Sequence, residues 1–300
     1  MSALCPRVTL TQNGPEFSRI VAGMWRMQSW PGGAQAHLRF IEECLEVGVS
    51  TFDHADIYGD YQVEALFGAA LAQRPMLRDG MQLVSKCGIR LPSAQRPGYR
   101  IKSYDSSALH IIASVEQSLR NLQTDYLDLL LIHRPDPLLD VAEVAQAFQQ
   151  LQQAGKVRHL GVSNFSPLQF DALQRHFPLV TNQIELSPLQ PQALQDGSLD
   201  HLQGLGIKPM LWSALGGGRL FTGGAPAGLL ECIQQLAAEY QLSPAALVYA
   251  WLLRLPSQPL PLTGSGRIGA VRDAVAACHV TLRREDWFAL WQAARGREVD

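Results

Sequence analysis

Short apolar runs alternate with longer stretches of helical period from Ile20 almost to the end of the chain, the pattern of strands and helices taken in turn. The runs predict eight strands: Ile20 to Trp25, Val49 to Asp53, Gln82 to Lys86, Leu127 to His133, His159 to Asn164, Val180 to Glu185, Lys208 to Ser213 and Pro259 to Thr263. Between them lie amphipathic segments such as Ala108 to Leu122. There Ile111, Ile112, Val115, Leu119 and Leu122 share one face and Glu116, Gln117 and Arg120 lie opposite, and such a face needs a sheet to cover. A run as apolar as LDLLLIH suits a parallel strand buried on both sides, which needs a crossover helix. Eight strand and helix pairs favour a closed (β/α)8 TIM barrel over the alternative, a doubly wound open sheet. The segment Val8 to Phe17, turning at Asn13, Gly14 and Pro15, is expected to form an N-terminal β-hairpin over the barrel floor, with extra helices at the C-terminus.

No Pro/Gly/Ser linker and no shift in composition divides the 300 residues, so residues 1–300 are expected to form a single barrel domain. Basic and acidic residues number 25 and 27, which gives no electrostatic footprint for nucleic acid or an anionic membrane. Small molecules are the expected partners. The five cysteines, Cys5, Cys44, Cys87, Cys232 and Cys278, are odd in number and form neither a CxxC pair nor a zinc-like cluster, which suits a reduced compartment. Pro6 and Arg7 interrupt any apolar leader in MSALCPRVTL, and no uncharged apolar run approaches membrane-spanning length. The expectation is a soluble, unprocessed, cytoplasmic monomer.

In a barrel the chemistry sits where strands end, so polar residues closing apolar runs are the first candidates. Asp53 ends VSTFD, Tyr58 follows in the loop HADIYG, Lys86 ends QLVSK and His133 ends LDLLLIH. Each has an ordinary structural alternative, as a turn cap, a packed phenol or a solvated lysine. Together they form a chemical set. A lysine ammonium beside a phenol favours the phenolate and is expected to lower the phenol's pKa, an imidazole can orient a carbonyl, and an aspartate keeps the buried lysine charged.

On these residues the sequence resembles the aldo-keto reductase family, from Ile20 to about Trp287. The family's aspartate, tyrosine, lysine and histidine tetrad maps onto Asp53 and Tyr58 in FDHADIYG, Lys86 in SKCG and His133 in LLLIHRP, with the five-residue spacing from aspartate to tyrosine kept. His54 stands where the family more often has a small hydroxyl residue. The resemblance implies a carbonyl reductase that transfers hydride from the nicotinamide of NADP(H) to an aldehyde or ketone, with Tyr58 as proton donor.

Ser163 and Asn164 in GVSNF and Gln183 in TNQIELSP could be helix caps or loop residues, and the resemblance implies that they hold the nicotinamide carboxamide. It also implies that Trp212 stacks on the nicotinamide ring, where ordinary core packing is the alternative. Ser213, Leu215, Gly217 and Arg219 fall in a glycine-rich loop that would let backbone amides approach a pyrophosphate, although a plain mobile loop would look the same. The stretch GSGRIG, from Gly264 to Gly269, reads formally as GxGxxG, but no second strand follows its helix, so a Rossmann reading is rejected. In a barrel the loops after strands seven and eight are a recurrent phosphate site. By resemblance, Ser265, Arg267 and Arg272 bind the 2′-phosphate beside Gly264, while Val275 and Ala276 replace a usual polar pair. Gly23 and Trp25, at the end of the first strand, are expected to face nicotinamide and substrate.

Two other functions compete: a Schiff-base aldolase or lyase using Lys86, and an NADPH-binding sensor without turnover. His54, Asp56 and His133 make a poor metal-ligand set, which disfavours a metal-dependent hydrolase. The segments Ile89 to Tyr104, Pro135 to Leu139 and Phe221 to Gly228 are expected to set specificity and carry no motif that names a substrate.

Overall fold

The computed structural model describes residues 4–299, so Met1 to Ala3 of the opening segment lie outside the described residues. The strands in chain order are β1 (Arg7–Thr9), β2 (Glu16–Ser18), β3 (Val21–Gly23), β4 (Thr51–Asp53), β5 (Gln82–Cys87), β6 (Ile89–Arg90), β7 (Ser103–Tyr104), β8 (Leu127–Ile132), β9 (Val157–Ser163), β10 (Asn182–Glu185), β11 (Met210–Trp212) and β12 (Leu260–Thr263). Eight of them close into a barrel in the order β10, β11, β12, β3, β4, β5, β8, β9, and every neighbouring pair is parallel. This is the closed (β/α)8 arrangement expected from the alternation, and the open sheet is excluded.

Side-chain alternation along each strand sorts the residues. Val21, Val84, Leu129, Leu131, Met210, Leu260 and Leu262 fill the barrel interior, while Phe52, Leu83, Leu130 and Leu211 belong to the layer between barrel and helices. Stepping by two along the inner face, Val84 leads to Lys86, Leu131 to His133 and Met210 to Trp212. Period two therefore carries the apolar interior directly into the polar groups at the C-terminal mouth. Gly161 in β9 is a steric necessity, because a Cβ there would stand 2.7 Å from the Thr181 carbonyl oxygen and 2.8 Å from Leu131.

The hairpin expected between Val8 and Phe17 forms from β1 and β2, with Asn13 left-handed (φ 60°) in its turn. Leu10 and Phe17 plug the barrel floor by joining the interior cluster. A final helix, Arg284–Arg295, supplies the additional C-terminal element, and its Trp287 stacks on Trp251 at 5.2 Å. The segment after β5 holds a feature the sequence did not signal: β6 and β7 pair antiparallel, Ile89 with Tyr104 and Arg90 with Ser103. Two-residue strands are too short to show a period. Among the described residues no helix is long and apolar enough to cross a membrane.

Candidate active site

Lys86 projects from β5 into the mouth of the barrel and is almost completely buried, as is Asp53 at the end of β4, each 1% exposed. An ammonium has three protons to donate, and here each has an acceptor: Asp53 Oδ2 at 2.6 Å, the His54 carbonyl at 2.8 Å and the Tyr58 hydroxyl at 3.1 Å. Burial alone would push the Lys86 pKa down. The charge of Asp53 and the bonds to Asp53 and Tyr58 outweigh it, so the net shift is upward and the group stays charged.

Tyr58 opens a short helical turn after β4, where Gly59 and Asp60 are both left-handed (φ 55° and 56°) and turn the chain sharply. Its ring meets His133 edge-on at 5.9 Å. The sequence led us to expect a lowered phenol pKa, and the structure reverses that net direction. Burial raises it, Lys86 opposes the rise and Asp53 adds to it, with an upward result. Tyr58 thus keeps its proton at neutral pH while resting against the cation that would stabilise its phenolate.

His133, just past β8, is held well below the usual imidazole pKa by burial and by Lys86, Arg134 and Lys102, so it is neutral. Its Nδ1 is buried without a partner. His54 is fully buried, edge-on to Phe67 at 4.5 Å, with neither ring nitrogen bonded, and burial with Lys86 drives its pKa down to about 3. The departure from a hydroxyl residue at position 54 therefore leaves the Lys86 network intact, because that network uses the backbone carbonyl.

Gln183 on β10 donates to the second Asp53 oxygen, Oδ1, at 2.8 Å. Beside it, Ser163 Oγ donates to the Gln183 carbonyl at 2.9 Å and accepts from Asn164 Nδ2 at 2.8 Å. Asn164, left-handed at φ 62°, accepts from the Trp212 indole nitrogen at 2.9 Å. The structure thus gathers Ser163, Asn164, Gln183 and Trp212 into one chain of polar contacts that ends on Asp53.

Around the rim, Ser213, Gly217 and Gly218 take positive φ angles of 56°, 67° and 94° in the loop after β11. Leu215 is half-buried against the core, and Arg219 donates to the Gly216 carbonyl of its own loop. Gly264, Ser265 and Arg267 follow β12. Arg267 stands at the N-cap of the helix Ile268–Ala277, its amide bonded to Ser265 Oγ at 3.3 Å. Arg267 and Arg272 are exposed, and among the described residues no carboxylate pairs with either. Gly23 closes β3, and Trp25 in the following loop is 58% exposed.

Three rim residues escaped the sequence reading. Arg26 stacks on Trp25 at 5.3 Å and donates to the Gly217 carbonyl, joining the loops after β3 and β11. Arg134 lies over the Trp212 ring at 5.3 Å. Trp30 sits under the loop after β12, where a Cβ on Gly266 would meet its indole at 2.5 Å. The only sequence signal for the two arginines was their place beside Trp25 and His133.

Comparison with known proteins agrees with the barrel fold. The model of the Aldo/keto reductase family matches residues 19–295. The Escherichia coli K12 protein "Oxidoreductase YdhF" is 53% identical over 98% of this chain and 99% of its own. A "6-dehydroglucose reductase" of Agrobacterium fabrum is 45% identical over 95% of this chain and 96% of its own. Among solved structures, the glycerol dehydrogenase AKR11B4 from Gluconobacter oxydans superposes with a TM-score of 0.84 at 25% identity, covering 98% of this chain and 97% of that one. Barrel and relatives agree, and the chain belongs to the aldo/keto reductase family of oxidoreductases.

Proposed function

We propose that the protein is an NADP(H)-dependent reductase of aldehyde or ketone carbonyls in which Tyr58 is the general acid. The observation that carries this reading is the buried Lys86 ammonium shared among Asp53, the His54 carbonyl and the Tyr58 hydroxyl.

The residues fit the cofactor. Asn164 and Gln183 are polar side chains of the type that a carboxamide needs, next to the Trp212 ring. Gly217 and Gly218, both left-handed, put no side chain on the rim, and Arg267 and Arg272 offer guanidinium groups without a carboxylate partner among the described residues. In this reading Ser163, Asn164 and Gln183 hold the nicotinamide amide and Trp212 packs on the ring. Ser213, Leu215, Gly217 and Arg219 flank the pyrophosphate, while Gly264, Ser265, Arg267 and Arg272 surround the 2′-phosphate. Gly23, Trp25 and Asp53 border the nicotinamide and substrate side.

When bound, NADPH supplies the hydride that reduces the carbonyl carbon. Neutral His133 orients the carbonyl oxygen beside Tyr58, whose hydroxyl proton passes to the developing alkoxide. Lys86 then stabilises the phenolate, and Asp53 keeps Lys86 charged and aimed. The same bonding opposes a Schiff-base mechanism, because a charged amine has no lone pair to attack a carbonyl.

The relatives named for 6-dehydroglucose put a carbonyl-bearing sugar among the first substrates to test. The purified protein should oxidise NADPH, followed by its near-ultraviolet absorbance, with at least one member of a panel of sugar carbonyls, simple aldehydes, ketones and dicarbonyls. Tight NADPH binding with no oxidation across the panel would favour a sensor. Borohydride trapping of substrate on Lys86 would favour the lyase.

A further inference from the structure

At the closed end of the molecule two cysteines far apart in sequence come together. Cys5 precedes β1, and its amide donates to the Val47 carbonyl at 2.9 Å. Cys278 ends the helix Ile268–Ala277. Their neighbours join the two segments directly, since a His279 ring nitrogen lies 3.0 Å from the Leu4 carbonyl.

The surroundings of Cys5 suit a thiolate. Its sulfur accepts from the Ile20 amide at 3.4 Å, and hydrogen bonding with Cys278 lowers the Cys5 pKa while raising that of Cys278. Arg19 supplies the charge. Its half-buried guanidinium donates to the Leu253 carbonyl, among the described residues no carboxylate pairs with it, and its field favours the Cys5 thiolate. Cys5 is 5% exposed and Cys278 is half-buried, so the pair lies just beneath the surface. The other three cysteines lack a second thiol among the groups acting on them, and burial raises the pKa of Cys44, Cys87 and Cys232.

We propose that Cys5 and Cys278 form an oxidisable dithiol, a modification site at which a small hydroperoxide produces a disulfide between the N-terminal segment and the end of the helix that carries Arg272. In the first step the Cys5 thiolate attacks the peroxide O–O bond. One oxygen transfers to sulfur, the other leaves with a proton as water or alcohol, and Cys5 becomes a sulfenic acid. The Cys278 sulfur then displaces that oxygen as water, forming the S–S bond. Together the sulfurs lose two electrons, which reduce the peroxide. The site stands apart from the barrel mouth and does not depend on the reductase reading.

The test uses the full chain, prereduced and then exposed to hydrogen peroxide. Two of its five thiols should be lost, the intact mass should fall by about 2 Da, and digestion should recover one peptide pair joined through Cys5 and Cys278, all reversed by dithiothreitol. In Cys278→Ser the reaction should stop at the first step, leaving Cys5 to be trapped by dimedone. Peptide mapping of the wild-type protein decides the matter even if that variant folds poorly. Retention of all five thiols, or oxidation at Cys44, Cys87 or Cys232 while Cys5 and Cys278 stay reduced, would overturn the proposal.

Discussion

At the corner formed by β4, β5 and β8, the lysine spends all three protons on fixed acceptors and the aspartate binds a neighbour through each oxygen. Across the same mouth, Arg267 and Arg272, proposed for phosphate at the start of the helix after β12, stand in solvent, and glycines of the loop after β11 take left-handed angles. The difference fits the two proposed tasks. Proton transfer needs groups already in place, in a dry setting where reorganisation costs most. A phosphate brings its own charge and can order exposed side chains on arrival, so the rim needs little prior order.

If the corner is preassembled, removing its centre should have the largest effect. Lys86→Met leaves Asp53 as a buried carboxylate without its counter-ion, a loss of about 3–5 kcal/mol of stability for such a broken pair. Turnover should fall by roughly 1,000-fold or more, since proton donation and its stabilising charge are lost together. Chemical denaturation and steady-state rates on the folded fraction separate the two effects. Near wild-type stability would mean that the corner is less tightly coupled than its hydrogen bonds indicate.

Tyr58→Phe is the cleaner cut, because it removes one hydroxyl and leaves Lys86 paired with Asp53. Carbonyl reduction should fall by roughly 100-fold or more while NADPH affinity stays nearly constant. Well-folded Tyr58→Phe that reduces carbonyls at close to the wild-type rate would sink the general-acid assignment.

At the rim the expected loss is smaller and of another kind. Arg272→Glu should reduce the preference for NADPH over NADH by roughly 10-fold or more, with kcat little changed, because a charge-assisted bond to the 2′-phosphate becomes a repulsion. Cofactor titrations with both nucleotides check this. An unchanged preference would remove Arg272 from the 2′-phosphate site.

The same contrast explains what could be read from the sequence. Alternation along the chain predicted all eight barrel strands, because burial on both faces leaves strong apolar runs, and the turn at Asn13, Gly14 and Pro15 pointed to the floor hairpin. Asp53, Tyr58, Lys86 and His133 were visible because polar residues ending such runs are conspicuous. The direction of the Tyr58 shift was not, since burial of the phenol depends on walls contributed by separate strands and loops. Nor was the bridge from Arg26 to the Gly217 carbonyl, which joins residues separated by 191 positions through a backbone atom that has no sequence signature. The pairing of β6 with β7 escaped for want of length.

The smallest predicted effect probes the corner's outer wall, where His54 is fully buried and neither ring nitrogen has a partner. Its folded pKa lies at about 3, against 6.5 for the free group. Below 6.5 the unfolded chain therefore takes up a proton that the folded chain refuses. The stability contribution is complete above 6.5 and is lost as the pH falls from 6.5 towards 3. At 1.36 kcal/mol per unit, His54 should account for about 2 kcal/mol of the loss between about pH 6.5 and 5. His54→Gln keeps the backbone carbonyl that receives Lys86 and removes the titration. The variant is expected to start lower at neutral pH, having lost the ring packing on Phe67, and then to decline less steeply with acid. Denaturant melts at several pH values measure the two slopes directly. Parallel slopes would show that the imidazole gains a proton without unfolding, and hence that this wall of the corner admits water.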